Sequence, residues 1–113
     1  MEINNYLTIK GNDGSDIKID FFKVKKSSLI FRALNNKVRQ NILALLDEKE
    51  RLTVSQLSKV LMVDQAVASL HLGILRRAGI VKSRREGKCI YYDLNQNRVA
   101  EIGKCVDCLL ATS

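Results

Sequence analysis

Proline is absent from this chain of 113 residues, and histidine occurs once, as His71. Without proline there is no polyproline spacer, and no internal repeat or low-complexity tract divides the sequence. A lone histidine, no cysteine beside it and no glycine-rich phosphate loop leave no acid–base pair or activated nucleophile to assign. Enzyme activity is therefore not expected, and no cofactor is implied. Apolar runs stay too short to span a bilayer, and Met1-Glu2-Ile3-Asn4-Asn5 has neither the basic region nor the apolar stretch of an export signal. A cytoplasmic protein without a membrane partner is expected. Three cysteines, an odd number in such a chain, argue against a structural disulfide framework.

What the chain has in excess is positive charge: 19 Lys and Arg stand against 12 Asp and Glu, giving a net charge of +7. Surplus cations favour a polyanionic partner, although charge alone does not separate DNA from RNA or an anionic membrane. The length and a hydrophobic content of 46% fit one domain with a modest core. We divide the chain into an N-terminal arm, residues 1–15, and a folded domain, residues 16–113.

The most informative stretch runs from Thr53 to Leu94. Thr53-Val54-Ser55-Gln56 has the spacing of a capping box, with Leu57, Val60 and Leu61 on one face of the short helix it opens. Asp64 then stands where a carboxylate can cap a second helix, roughly Gln65 to Arg77, close enough that the two helices must cross sharply. In that second helix Ala68, His71/Leu72 and Leu75 recur at core-facing positions, leaving Gln65, Ala66, Ser69, Leu70 and Gly73 opposite. Gln and Ser can hydrogen-bond base edges or phosphates, Ala and Leu can touch a thymine methyl, and Gly lets a backbone approach closely. The same face also reads as an ordinary solvated one. Gly79 can end the helix in a left-handed conformation. Beyond it Lys82 to Leu94 alternates as a hairpin around Glu86-Gly87, and from Arg76 to Lys88 six basic residues face one acid. Isolated charge runs are usually solvated surface. At the tip of a hairpin that follows a reading helix, phosphate or minor-groove contact is favoured instead.

These residues resemble the arsenical-resistance-repressor-like (ArsR-type) winged helix-turn-helix regulators, over about Phe31 to Leu110. Four pieces carry the resemblance, in order: Ala33 to Leu43 with its Arg39, Thr53 to Leu61, Asp64 to Val81, and Arg84 to Lys88 with Tyr91-Tyr92-Asp93-Leu94. The resemblance implies a mainly α fold with a small β-hairpin wing (α+β), and a homodimeric DNA-binding regulator of transcription, a repressor on an inverted repeat. On this reading Gln65 and Ser69 make the specific contacts, Ala66 and Leu70 read methyl groups, and His71 lies near the DNA backbone. Thr53, Ser55 and Gln56 hold a phosphate, while Arg84, Arg85 and Lys88 grip the flanking groove. The chain also departs from the family. Where many members carry a metal-sensing Cys-Val-Cys motif it has Thr53-Val54-Ser55, and hydroxyls do not bind soft metals as thiolates do. The Asp and His residues of a second family metal site, on the last helix, are missing as well. No metal is implied, and the inducer is left open.

Cys105 and Cys108, three apart on a predicted helix, share a face and could supply thiolates to a metal or an oxidant. Small packing residues would look the same, and Cys89 reads as such a filler. Val99, Ile102, Val106 and Leu109 form a stripe on the last helix, and Ile17, Phe21, Val24, Ser28 and Phe31 suggest an opening helix of about fifteen residues. Pairing of the two end helices across a two-fold axis, through Phe21, Val24, Val99, Ile102, Val106 and Leu109, is expected, with packing onto the chain's own core as the alternative. Residues 1–15 read as an extended, partly ordered arm, or as a strand and turn. From another class of function, a winged-helix docking module would use Leu70, Gly73 and the basic wing against an acidic protein.

Overall fold

A computed structural model describes residues 6–111. The first five positions of the expected arm and the last two of the domain lie outside the described residues. The elements are β1 (Tyr6–Lys10), β2 (Asp16–Asp20), α1 (Phe21–Leu34), α2 (Lys37–Lys49), β3 (Arg51–Thr53), α3 (Val54–Leu61), α4 (Gln65–Arg77), β4 (Val81–Glu86), β5 (Cys89–Leu94) and α5 (Gln96–Leu110).

The helices start where a side chain can take up amides that have no partner within the helix. Asp20 accepts from the Phe22 and Lys23 amides, Asn36 from Arg39 and Asn95 from Arg98. At α3 the box closes both ways: Gln56 N–H donates to Thr53 Oγ1 at 3.2 Å, and Thr53 N–H to Gln56 Oε1 at 2.9 Å. Asp64 departs from the expectation. It occupies the cap position of α4, but its carboxylate accepts no hydrogen bond there. What remains is the favourable placement of its charge at the positive end of the helix.

α3 and α4 bend by 114° at their junction. The corner is made by Met62, whose φ of 56° and ψ of 44° are left-handed, after which Val63 N–H donates back to Ser58 O at 3.1 Å. At the far end of α4, Gly79 (φ 75°) turns the chain into the wing as its position suggests. The wing is antiparallel, with strand order β3-β5-β4.

The core sits between α2, α3, α4 and the base of this sheet. Ile42 and Leu46 of α2, Leu57 of α3, Ala68, Leu72 and Leu75 of α4, then Ile80 and Val81, are buried. Each fully buried Leu or Ile stabilises the fold by about 1.5–3 kcal/mol. From α1 only Ala33 is buried, and α5 buries no residue at all.

The start of the chain differs from the helical reading. β1 and β2 form an antiparallel hairpin pairing Leu7 with Ile19 and Ile9 with Ile17, so the boundary drawn at residue 15 falls just where its second strand begins. Asp16 to Asp20 alternates polar and β-branched residues, which suits a strand, and Asp20 then caps α1. The opening helix accordingly begins at Phe21, and Ile17 belongs to the strand before it.

Candidate nucleic-acid interface

On α4 the residues divide as their spacing requires. Ala68, Leu72 and Leu75 are buried, while Gln65, Ala66, Ser69 and Leu70 are exposed, Leu70 by 59%. Gly73 is half-buried, and a Cβ there would meet only the Arg77 guanidinium, at 3.5 Å. The outer row is thus open to solvent and backed by the core, so its side chains are carried on a fixed surface.

His71 lies between the two faces. Its Nδ1 is 3.0 Å from Arg39 Nη1, and since a guanidinium only donates, Nδ1 must be the acceptor and the ring proton must sit on Nε2. Partial burial, and then the Arg39 charge, hold its pKa below the ordinary histidine value. Arg39 is fixed in turn: Nε donates to Ala33 O at 2.6 Å and Nη2 to Arg32 O at 3.3 Å. One side chain of α2 therefore joins the end of α1 to the middle of α4.

At the start of α3 the capping box occupies one lone pair of Thr53 Oγ1 and the Gln56 carbonyl. The Thr53 and Ser55 hydroxyls and the Gln56 amide nitrogen keep donors to offer at the positive end of the helix.

The wing's register sorts its cations. Arg84 pairs with Tyr91 and Arg85 with Ile90, so the two arginines stand on opposite faces, and Lys88 lies in the turn after Gly87 (φ 62°). The single acid of the basic run is already taken. Glu86 Oε1 accepts from Arg51 Nη1 at 2.7 Å, and Arg51 also stacks over the Tyr91 ring at 4.1 Å. The hydrogen bond and charge of Glu86 raise the Arg51 pKa. Arg84, Arg85 and Lys88 thus have no carboxylate within ion-pair distance among the described residues. Sequence spacing missed Arg51 because its partner is 35 positions away.

The cysteines are free and exposed, all three of them. Cys89 is therefore not the packed filler expected, because the wing strand it opens has left the core. Cys105 lines a cleft of about 720 Å³ between the hairpin, α1 and α5, together with Ile19, Val24, Phe31 and Leu109. No group of three or more potential metal ligands occurs among the described residues. Of the residues assigned to pairing, Phe21, Val24 and Leu109 are exposed, Leu109 by 71%, and Val99 is exposed too. Ile102 and Val106 are half-buried, with Ile102 packed on the core.

Residues 34–84 match the helix-turn-helix domain family. An HTH-type transcriptional regulator of Methanocaldococcus jannaschii is 41% identical over 85 residues, 75% of this chain and 96% of that protein. The arsenical resistance operon repressor of Escherichia coli is 33% identical over 78 residues, 69% of this chain and 68% of the repressor. This chain belongs to the ArsR-type winged helix-turn-helix transcriptional regulators. In three dimensions the regulator is similar to the homodimeric winged helix-turn-helix DNA-binding domain from Mycobacterium bovis, a possible ArsR-family regulator. That similarity has a TM-score of 0.66 at 27% identity and covers 78% of this chain and 81% of that domain. The family is one of DNA-binding regulators of transcription.

Proposed function

We propose that this regulator is a repressor without catalytic activity that occupies an inverted-repeat operator as a homodimer. One observation carries the reading: the exposed row of α4 and the uncompensated wing cations are carried on the buried core, while α1 and α5 leave Phe21, Val24, Val99 and Leu109 exposed. Pairing through Phe21, Val24, Val99, Ile102, Val106 and Leu109 would cover that second surface. It would also set two reading helices at a fixed separation, the geometry that an inverted repeat demands. The homodimeric state of the Mycobacterium bovis domain supports this assembly.

In the complex Gln65 and Ser69 make the base-specific hydrogen bonds, Ala66 and Leu70 meet thymine methyls, and His71 points Nε2–H toward the DNA backbone. Thr53, Ser55 and Gln56 hold a phosphate, and Arg84, Arg85 and Lys88 neutralise the flanking strand. Fluorescence anisotropy with operator and mixed-sequence duplexes at two salt concentrations tests this. Steep salt dependence with a preference for the operator supports it, and absence of binding at low salt rejects it. Reporter transcription with and without the protein separates repression from activation.

Exposure of both Cys105 and Cys108 favours a second reading, in which their thiols adjust operator affinity. Serine at both positions should then abolish any response of that affinity to oxidant or zinc. A response retained by the double variant rejects thiol control.

A further inference from the structure

A cleft of about 340 Å³ lies where α1, α2 and α4 meet, and the DNA contacts proposed above make no use of it. Its lining falls into two chemical halves. Leu29 and Ala33 of α1 and Ile74 and Ala78 of the α4 end are apolar, while Arg32, Arg39 and Arg77 add one arginine from each helix. We propose that this cleft binds a small organic anion, a carboxylate or phosphate on an apolar body, and that occupancy changes operator affinity.

Charge is the first argument. Three arginines line one concavity, and among the described residues no carboxylate lies within 4.0 Å of any of their guanidiniums. Like charges gathered on one concavity repel one another, and an anion placed among them offsets that repulsion while gaining charge-assisted hydrogen bonds. Planar guanidinium forks match carboxylate and phosphate oxygens two at a time.

Preorganisation is the second. Arg39 cannot swing out to water without breaking its bonds to Ala33 O, Arg32 O and His71 Nδ1. Those bonds use three of its five N–H groups, leaving two without a partner among the described residues. Arg32 and Arg77 donate no side-chain hydrogen bond there, so their donors remain available.

Size is the third. Ligand pockets commonly run from about 300 to 1,000 Å³, so the cleft suits a compact molecule whose body covers the apolar half. A bare inorganic ion would satisfy the guanidiniums and leave Leu29 and Ile74 wet.

The regulatory half of the proposal rests on the DNA-binding reading; the binding half does not. Arg39 is the link, because an anion competes for the same guanidinium that holds His71, next to Leu70 in the reading row. Occupancy shifts operator affinity only as far as the anion prefers one setting of α4 over another.

The test titrates the 15N-labelled full chain, without DNA, with phenylacetate, phenyl phosphate, inorganic phosphate and the uncharged 2-phenylacetamide. Saturable shifts of the Ile74, Arg77 and Ala78 amides are expected with at least one organic anion, at an affinity in the millimolar range or tighter. Arg32→Gln and Arg77→Gln, both at exposed positions that leave the core intact, should each weaken it by about tenfold. No saturable shift up to about 10 mM, or equal shifts with 2-phenylacetamide, would overturn the site. Inorganic phosphate binding as tightly as phenyl phosphate would overturn the role of the apolar half. If either variant instead lowers DNA affinity and salt dependence with no anion present, the guanidiniums serve the duplex and the proposal fails. Operator affinity is then measured with and without the anion that binds. A change of about twofold or more that the variants lose supports regulation; unchanged affinity removes that half alone. Failure to bind any duplex would reject the DNA-binding reading while leaving the titration result standing.

Discussion

The middle of the chain and its two ends are built on different terms. From α2 through β5 the buried side chains close on one another, and Ile42, Leu57, Leu72, Leu75 and Ile80 are shut off from water. At the ends, α5 has no fully buried residue, α1 has only Ala33, and the hairpin leaves Leu7, Ile9 and Ile17 between two-fifths and a half exposed. The middle holds most of the buried core; the ends have apolar surface still to cover. Concentration should therefore matter for one region and not for the other.

The sharpest break in this comparison is Leu72→Ala. Emptying a fully buried site should cost about 2–5 kcal/mol in urea unfolding, with a midpoint that does not recover as protein concentration rises. Leu109→Asp should do the reverse. It leaves the core untouched, and in sedimentation equilibrium the dimer dissociation constant should rise by about a hundredfold, near 3 kcal/mol, because a charge enters the paired surface. A variant that stays dimeric at micromolar concentration would move the pairing surface elsewhere.

Within the middle region the outer row and the wing can be told apart. Gln65→Ala should cost about 1–3 kcal/mol on the operator and little on mixed duplexes. Arg85→Ala should weaken both alike and flatten the salt dependence by about one phosphate contact. Equal losses from both substitutions would erase the distinction between reading and gripping.

A smaller effect follows pH. The folded chain holds His71 below its ordinary pKa of about 6.5, so as pH falls through that value the unfolded chain takes up a proton before the folded one does. Stability should be full above this range, decline as pH drops through it and level off below the folded pKa. His71→Gln should flatten that decline in thermal melts at pH 5 to 7. An unchanged slope would detach His71 from it.

Much of the middle was legible because its signals are local. The Thr53–Gln56 box, the core stripe of α4 and the Gly79 exit each lie within one or two helical turns, and α4 spans Gln65–Arg77 as the spacing predicts. The misses come from distance and competition. Arg39 reaches His71 across 32 positions and Arg51 reaches Glu86 across 35, links that no periodicity encodes. At the start of the chain Ile17, Phe21 and Val24 satisfy a helical spacing while Asp16 to Asp20 also alternates, and strand pairing with β1 decides in favour of the second. Asp64 reads as a cap because its position is right; its carboxylate accepts no hydrogen bond from the α4 amides.

The corner at Met62 gives the protein engineer a handle. A left-handed backbone costs an L-residue with a Cβ roughly 1–2 kcal/mol, and this side chain, 91% exposed, gains almost nothing from packing in return. Glycine there would relieve that strain at some expense in chain entropy, for a net gain of about 1 kcal/mol visible as a higher melting temperature. Thermal robustness could thus be raised at a single hinge, with the core, the reading row and the pairing faces all left as they are.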